Sequence, residues 1–89
     1  MKYRIFRTKS FKKDYKKLST KEKEVLRTVV IKIANGEKLD TKFKDHKLAG
    51  KLKNFRECHL KPNLLLIYRV DKTELELVRV GTHSELFVS

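Results

Sequence analysis

His46, His59 and His83 are the side chains through which this chain could move protons near neutral pH. They stand in Lys44-Asp45-His46, Arg56-Glu57-Cys58-His59 and Arg79-Val80-Gly81-Thr82-His83, all in the second half of the sequence. Arg79 adds a planar guanidinium that can grip phosphate oxygens in a bidentate manner. Proton carriers, a fixed cation and a strongly basic chain together point to metal-free chemistry on a phosphodiester. No metal or other cofactor is expected, because Cys58 and His59 are adjacent and no C-x-x-C or H-x-x-x-H pair exists. On a strand Cys58 faces away from His59, so burial is expected for it rather than nucleophilic work.

The elements that must position these groups are legible in part. Residues 2–7 alternate weakly and read as a strand. Thr8-Lys9-Ser10 can cap a first helix, in which Phe11, Tyr15 and Leu18 share one face and a lysine stripe takes the other. Ser19-Thr20-Lys21-Glu22 is a capping box that opens a second helix. Its expected buried arc is Val25, Leu26, Val29, Val30 and Ile33; Ile31 points away from that arc, towards the first helix or a partner, and core packing is the preferred expectation for it. Asn35-Gly36 is the stop. Residues 37–53 form a lysine-rich connection with apolar anchors at Leu39, Phe43, Leu48 and Leu52. Residues 54–60, 64–70 and 74–80 read as three strands, with turns at Lys61-Pro62-Asn63 and Asp71-Lys72-Thr73. The apolar run Leu64–Tyr68 predicts a central strand covered on both faces. The expected fold is α+β in the order β-α-α-β-β-β, a small antiparallel sheet with the two N-terminal helices packed on one face.

At 89 residues one domain is expected, spanning 1–89. One cysteine excludes an internal disulfide and suits a reducing compartment. No segment approaches the ~18 apolar residues of a membrane helix, and the N-terminus carries no apolar run of signal-peptide type. A cytoplasmic protein without membrane association is expected. The net charge is +12, and all of it comes from residues 1–53, where 18 Lys/Arg face 6 Asp/Glu. Such an excess predicts a polyanionic partner, contacted chiefly through lysines that attract phosphate without reading sequence.

Three segments resemble the YafQ-type toxins, a branch of the RelE superfamily. They are Phe43-Lys44-Asp45-His46-Lys47-Leu48-Ala49-Gly50, Phe55-Arg56-Glu57-Cys58-His59-Leu60-Lys61-Pro62 with the following Leu64–Tyr68, and Arg79-Val80-Gly81-Thr82-His83-Ser84-Glu85-Leu86-Phe87. The resemblance implies the toxin of a type II toxin–antitoxin pair, a ribosome-dependent mRNA endonuclease that stops translation. It implies a cognate antitoxin, the ribosome and mRNA as partners, with operator DNA contacted only through the antitoxin. It assigns His46, His59, Arg79, His83 and Phe87 to the site. Asn63 stands where the family usually has an aspartate that takes part in proton transfer. An amide can orient a group but cannot carry that proton, so either the histidines suffice or this chain is impaired. Leu64 replaces an aromatic found in some members.

Metal-free RNA cleavage needs a base for the 2′-OH, an acid for the leaving 5′ oxygen and a cation for the phosphorane. His59 and His83 are the expected acid and base, His46 positions phosphate or shares the proton work, and Arg79 is the cation. Glu57, on the same strand face as His59, is expected to orient that imidazole, and Asn63 and Phe87 to support the site, Phe87 by stacking on a base. Lys44, Lys47, Lys51, Lys53, Arg56 and Lys61 are expected to bind RNA. Two other functions fit the same basic chain: a non-enzymatic toxin of this fold, such as a ParE-like gyrase inhibitor, and a plain RNA-binding module.

Overall fold

The computed structural model describes residues 1–50 and 54–87. Its elements run β1 (Arg4–Arg7), α1 (Lys9–Tyr15), α2 (Thr20–Ala34), a 3-10 turn (Thr41–Phe43), β2 (His46–Lys47), β3 (Arg56–Lys61), β4 (Leu64–Asp71), β5 (Glu74–Gly81) and α3 (His83–Leu86). The helix starts are those the sequence encodes. Thr8 Oγ1 accepts from Phe11 N, and Ser19 with Glu22 closes a reciprocal capping box. Gly36, at φ 77°, ends α2 in the left-handed conformation that glycine adopts at little cost.

The five strands form one sheet in the order β1-β5-β4-β3-β2. Two tight turns make β3, β4 and β5 antiparallel neighbours. β1 lies parallel to β5, so the sheet is mixed rather than wholly antiparallel. No short turn joins these two strands, and nothing in the connection forces them to run in opposite directions. Short β2, inside the connection expected to be irregular, adds to β3 through His46↔Glu57 and Lys47↔Arg56.

The core lies between the two long helices and one sheet face. Phe11, Leu26, Val29, Val30 and Ile33 meet Cys58, Leu60, Leu66, Tyr68, Leu75, Leu77 and Val80 there. Val25 and Ile31 depart from expectation, at 37% and 40% exposed. Each sits on a flank of α2 at the lip of a groove, Val25 beside the 3-10 turn and the β3–β4 hairpin and Ile31 beside α1. β4 is buried on both faces, as its apolar run predicts. Leu65 and Ile67 point away from the core yet are 3% and 5% exposed. They form the floor of the second sheet face, where the site lies.

The strip of β5 beyond β1 would present bare backbone at the sheet edge, a costly arrangement where water is excluded. The start and end of α1 close it. Thr8 N donates to Leu77 O, Thr8 Oγ1 donates to Val78 O, and Val80 N donates to Asp14 Oδ2.

Candidate functional site

Strand register sets the site. His46 on β2 lies opposite Glu57 on β3, Glu57 opposite Ile67 on β4, and Ile67 opposite Arg79 on β5. One step along, His59, Leu65 and Gly81 form a second row. Neighbouring strands are ~4.8 Å apart, so the β3 and β5 members of each row are ~10 Å apart. The face therefore carries a histidine cluster on one side, an arginine–histidine cluster on the other, and an apolar floor of Leu65 and Ile67 between them.

In the first cluster, His46 Nδ1 donates to the Lys44 carbonyl at 2.6 Å, and Nε2 lies 3.0 Å from Glu57 Oε2. Both ring nitrogens thus face oxygen acceptors, and both contacts are hydrogen bonds at once only when both nitrogens carry protons. The His59 ring centroid is 6.4 Å from that of His46. Glu57 does not orient His59, as the i, i+2 spacing suggested, but His46. The reason is cross-strand: opposed side chains approach more closely than alternate residues along a strand.

Asp45, the residue before His46, holds this corner. It accepts from Arg56 Nε at 3.2 Å and Arg56 Nη2 at 3.1 Å, and from the Tyr68 hydroxyl at 2.5 Å. The Asp45 carboxylate holds the Arg56 guanidinium pKa above its usual value and so keeps it charged, while burial and then the bond to Asp45 push the Tyr68 phenol pKa up and keep it neutral. Arg56, expected to bind RNA, is therefore a structural ion pair on the core side of the sheet. Cys58 is fully buried beside it, and burial pushes its thiol up to about 12, with Asp45 and Glu57 adding to the effect. It is no nucleophile at neutral pH.

The second cluster hangs from the end of β5. Arg79 Nε donates to Asp14 Oδ2 at 2.6 Å and Nη2 to Asp14 Oδ1 at 3.1 Å. That carboxylate raises the ionisation of Arg79. A guanidinium has five N–H donors, and Nη1 and the second Nη2 proton have no partner among the described residues. Asp14 lies 65 residues away from Arg79, and no local pattern links the two. His83 is the first residue of α3, exposed, with its ring centroid 4.9 Å from that of Phe87 at the helix's end. Phe87 is thus a stacking partner for His83, half-buried at the rim of the site.

Helix α3 was missed, although Thr82-His83-Ser84-Glu85 has the spacing of a capping box and forms one. Bonds from the Thr82 backbone and hydroxyl hold Glu85 below the usual carboxylate range. Gly81 ends β5 with no left-handed backbone conformation. A Cβ there would stand 2.9 Å from Glu85 Oε1 and would displace the carboxylate that closes the α3 capping box. Asn63 lies exposed in the two-residue turn between β3 and β4. Lys61 is tied to Glu22 at 2.6 Å, whereas Lys44 and Lys47 are exposed beside His46. Lys51 and Lys53 lie outside the described residues. No group of three or more His, Cys, Asp and Glu among the described residues is placed to hold a metal ion.

A family model described as the bacterial toxin of a type II toxin–antitoxin system, YafQ, matches residues 3–88. The mRNA interferase toxin YafQ of Escherichia coli K12 is 32% identical over 80 residues, covering 86% of this chain and 87% of that protein. The crystal structure of a copper-bound mutant toxin from Helicobacter pylori is similar with a TM-score of 0.87 at 42% identity, over 96% of this chain and 99% of that one. The toxin in the E. coli DinJ–YafQ complex gives 0.79 at 31% identity, over 96% and 98%. With the fold, the histidine-bearing segments and nearly the whole length matched, this chain belongs to the YafQ family of bacterial toxins of type II toxin–antitoxin systems.

Proposed function

We propose that this protein is an mRNA interferase, an endoribonuclease that cuts mRNA on the ribosome by attack of the neighbouring 2′-OH and needs no metal. The observation that carries this reading is one sheet face bearing His46, Glu57, His59 and Arg79 in register, with His83 at its end. In the reaction the 2′ oxygen bonds to phosphorus and the bond from phosphorus to the 5′ oxygen breaks. One histidine takes the 2′-OH proton and another protonates the leaving 5′ oxygen, leaving a cyclic phosphate and a 5′-OH. His59 and His83 suit these two tasks, because neither ring nitrogen set is engaged in a hydrogen bond among the described residues. His46, held between Lys44 O and Glu57, suits a fixed positioning role within the cluster. The free donors of Arg79 suit the phosphorane oxygens, and Asp14 keeps the fork in place.

Asn63 takes no proton in this scheme. It lies in the turn beyond His59, within the strand end that carries the cluster, and as an amide it can only orient. Copper belongs to the H. pylori relative. Here His46 Nε2 lies against Glu57 Oε2. Lys44 and Lys47 suit mRNA phosphates. The partners are the ribosome with its mRNA and a cognate antitoxin, by analogy with the E. coli toxin solved with DinJ; operator DNA is reached only through the antitoxin. No helix among the described residues is long and apolar enough to cross a membrane, and ribosomes place the activity in the cytoplasm.

The test is mRNA cleavage in a purified translation system, mapped by primer extension, for the unaltered chain, His83→Ala and Asn63→Asp. Cuts within the reading frame that need the ribosome and disappear in His83→Ala are the expected result. Cleavage by Asn63→Asp alone identifies an impaired enzyme. No cleavage by any of the three refutes the nuclease reading and favours a toxin that acts by binding.

A further inference from the structure

β2 covers the outer edge of β3 only at Arg56 and Glu57. Beyond it a groove of about 720 Å³ opens between that edge, α2 and the 3-10 turn. Its walls include Val25 and Thr28 from α2, Phe43 and Lys44 from the turn, and His59 and Pro62 from the hairpin. The volume is that of a small-molecule site. Three features set this groove apart from ordinary surface. Val25 is an exposed apolar residue on a helix flank with nothing packed over it. Lys42 and Lys44 line the wall opposite α2, and neither has an ion-pair partner among the described residues. His59 belongs to both the groove and the histidine cluster, so the groove continues the site rather than standing apart from it.

We propose that this groove is a nucleotide subsite for single-stranded RNA, taking the nucleotide next to the scissile phosphodiester. The base packs against Phe43, Val25 and Pro62, and its phosphate meets Lys42 and Lys44. This rests on the endoribonuclease reading above. The charges orient the nucleotide. Glu24 is the carboxylate on the α2 wall and repels phosphate, which places the phosphate on the side of the 3-10 turn. Lys61 also lines the groove, but Glu22 holds its ammonium at 2.6 Å. Lys42 Nζ lies 5.2 Å from the Phe43 ring centroid and yields that ring face to a base as it turns to phosphate. The Thr28 hydroxyl donates to Glu24 O at 3.1 Å, so towards a base edge it can only accept, and the subsite selects chiefly by stacking and shape. Lys44 stands in the left-handed conformation at φ 49°, and its carbonyl holds His46 Nδ1. One strained residue thus joins the groove wall to the histidine cluster.

The experiment measures single-turnover mRNA cleavage in the purified translation system as toxin concentration is raised. It compares the unaltered chain with Val25→Glu, Phe43→Leu and the control Lys32→Ala, whose charge change equals that of Val25→Glu and which lies on α2 away from the groove. Thermal melts check that each variant is folded. The expected result is a half-saturating concentration raised roughly 5-fold or more in Val25→Glu and Phe43→Leu, the size expected for one lost stacked base. The limiting rate stays the same, and Lys32→Ala behaves as the unaltered chain. Unchanged half-saturation in both groove variants overturns the proposal, as does a fall in limiting rate alone. If the unaltered chain cleaves nothing, the nuclease reading fails. The groove is then judged by fluorescence anisotropy with a labelled single-stranded pentaribonucleotide: binding weakened by Val25→Glu supports an RNA subsite, and equal binding overturns it. Loss of antitoxin binding in Val25→Glu with RNA-dependent readouts untouched also overturns it, and gives the groove to a protein partner.

Discussion

Replacing Asp45 with alanine removes the acceptor that fastens the corner carrying His46. The carboxylate receives two bonds from Arg56 and one from the Tyr68 hydroxyl. Side-chain exposure is 32% for Arg56 and 24% for Asp45, so the ion pair is partly screened and is discounted to ~1–2 kcal/mol. Tyr68 is 2% exposed, and without Asp45 its hydroxyl faces only the Arg56 Nε donor at 3.3 Å. An unsatisfied hydroxyl there costs ~1–2 kcal/mol more. The expected loss is ~2–4 kcal/mol, against a total of ~5–13 kcal/mol for a chain of this size. With a urea slope of ~1–1.5 kcal/mol per molar, the unfolding midpoint falls by ~1.3–4 M at unchanged slope. Asp45→Asn keeps an acceptor for Tyr68 and recovers about half of the loss. Asp45 touches no RNA in the proposed reaction, so it is a positioning residue. Where Asp45→Ala is still folded, its cleavage is expected to show a lower limiting rate, with restoration in Asp45→Asn. A midpoint drop below ~0.5 M in urea would refute the assignment of this cluster as the anchor of the corner.

Asp14→Ala frees the Arg79 fork and leaves Val80 N–H without its acceptor; urea unfolding should show a loss of ~2–3 kcal/mol, and cleavage should fall as well because Arg79 loses its bearing. Cys58, buried and pushed up to about 12, should resist iodoacetamide at neutral pH in the folded protein and react fully once urea unfolds it, as mass spectrometry will report. Glu22 is held below its ordinary value of 4.5, first by the bond from Lys61 and then by Ser19 N–H. A carboxylate lowered on folding stabilises above its unfolded pKa and loses that contribution as pH falls through the folded one. Glu22→Gln should therefore narrow the difference in urea midpoint between about pH 6 and about pH 3; an unchanged difference removes Glu22 from the acid response.

The sequence by itself determined what local rules encode. Thr8 and Ser19 start the helices because a hydroxyl can accept from a backbone N–H three residues on. Leu64–Tyr68 is central because only a strand covered on both faces can be apolar throughout. The histidine-bearing segments were legible as a site through their residue types and their resemblance to a family. Thr82-His83-Ser84-Glu85 was legible too by the same capping rule, and the helix there went unread.

What only the tertiary structure decided are the pairings between residues far apart in the chain. Glu57 serves His46 and not His59, Asp14 serves Arg79, and Asp45 claims Arg56 and Tyr68. Register between strands, and the packing of α1 against the β5 edge, set each of these. Side-chain periodicity states which face a residue takes, but not which neighbour the next strand brings to it. For the same reason Val25 reads as core and is not: the helical arc is written in the sequence, and which part of it the neighbouring elements cover is not.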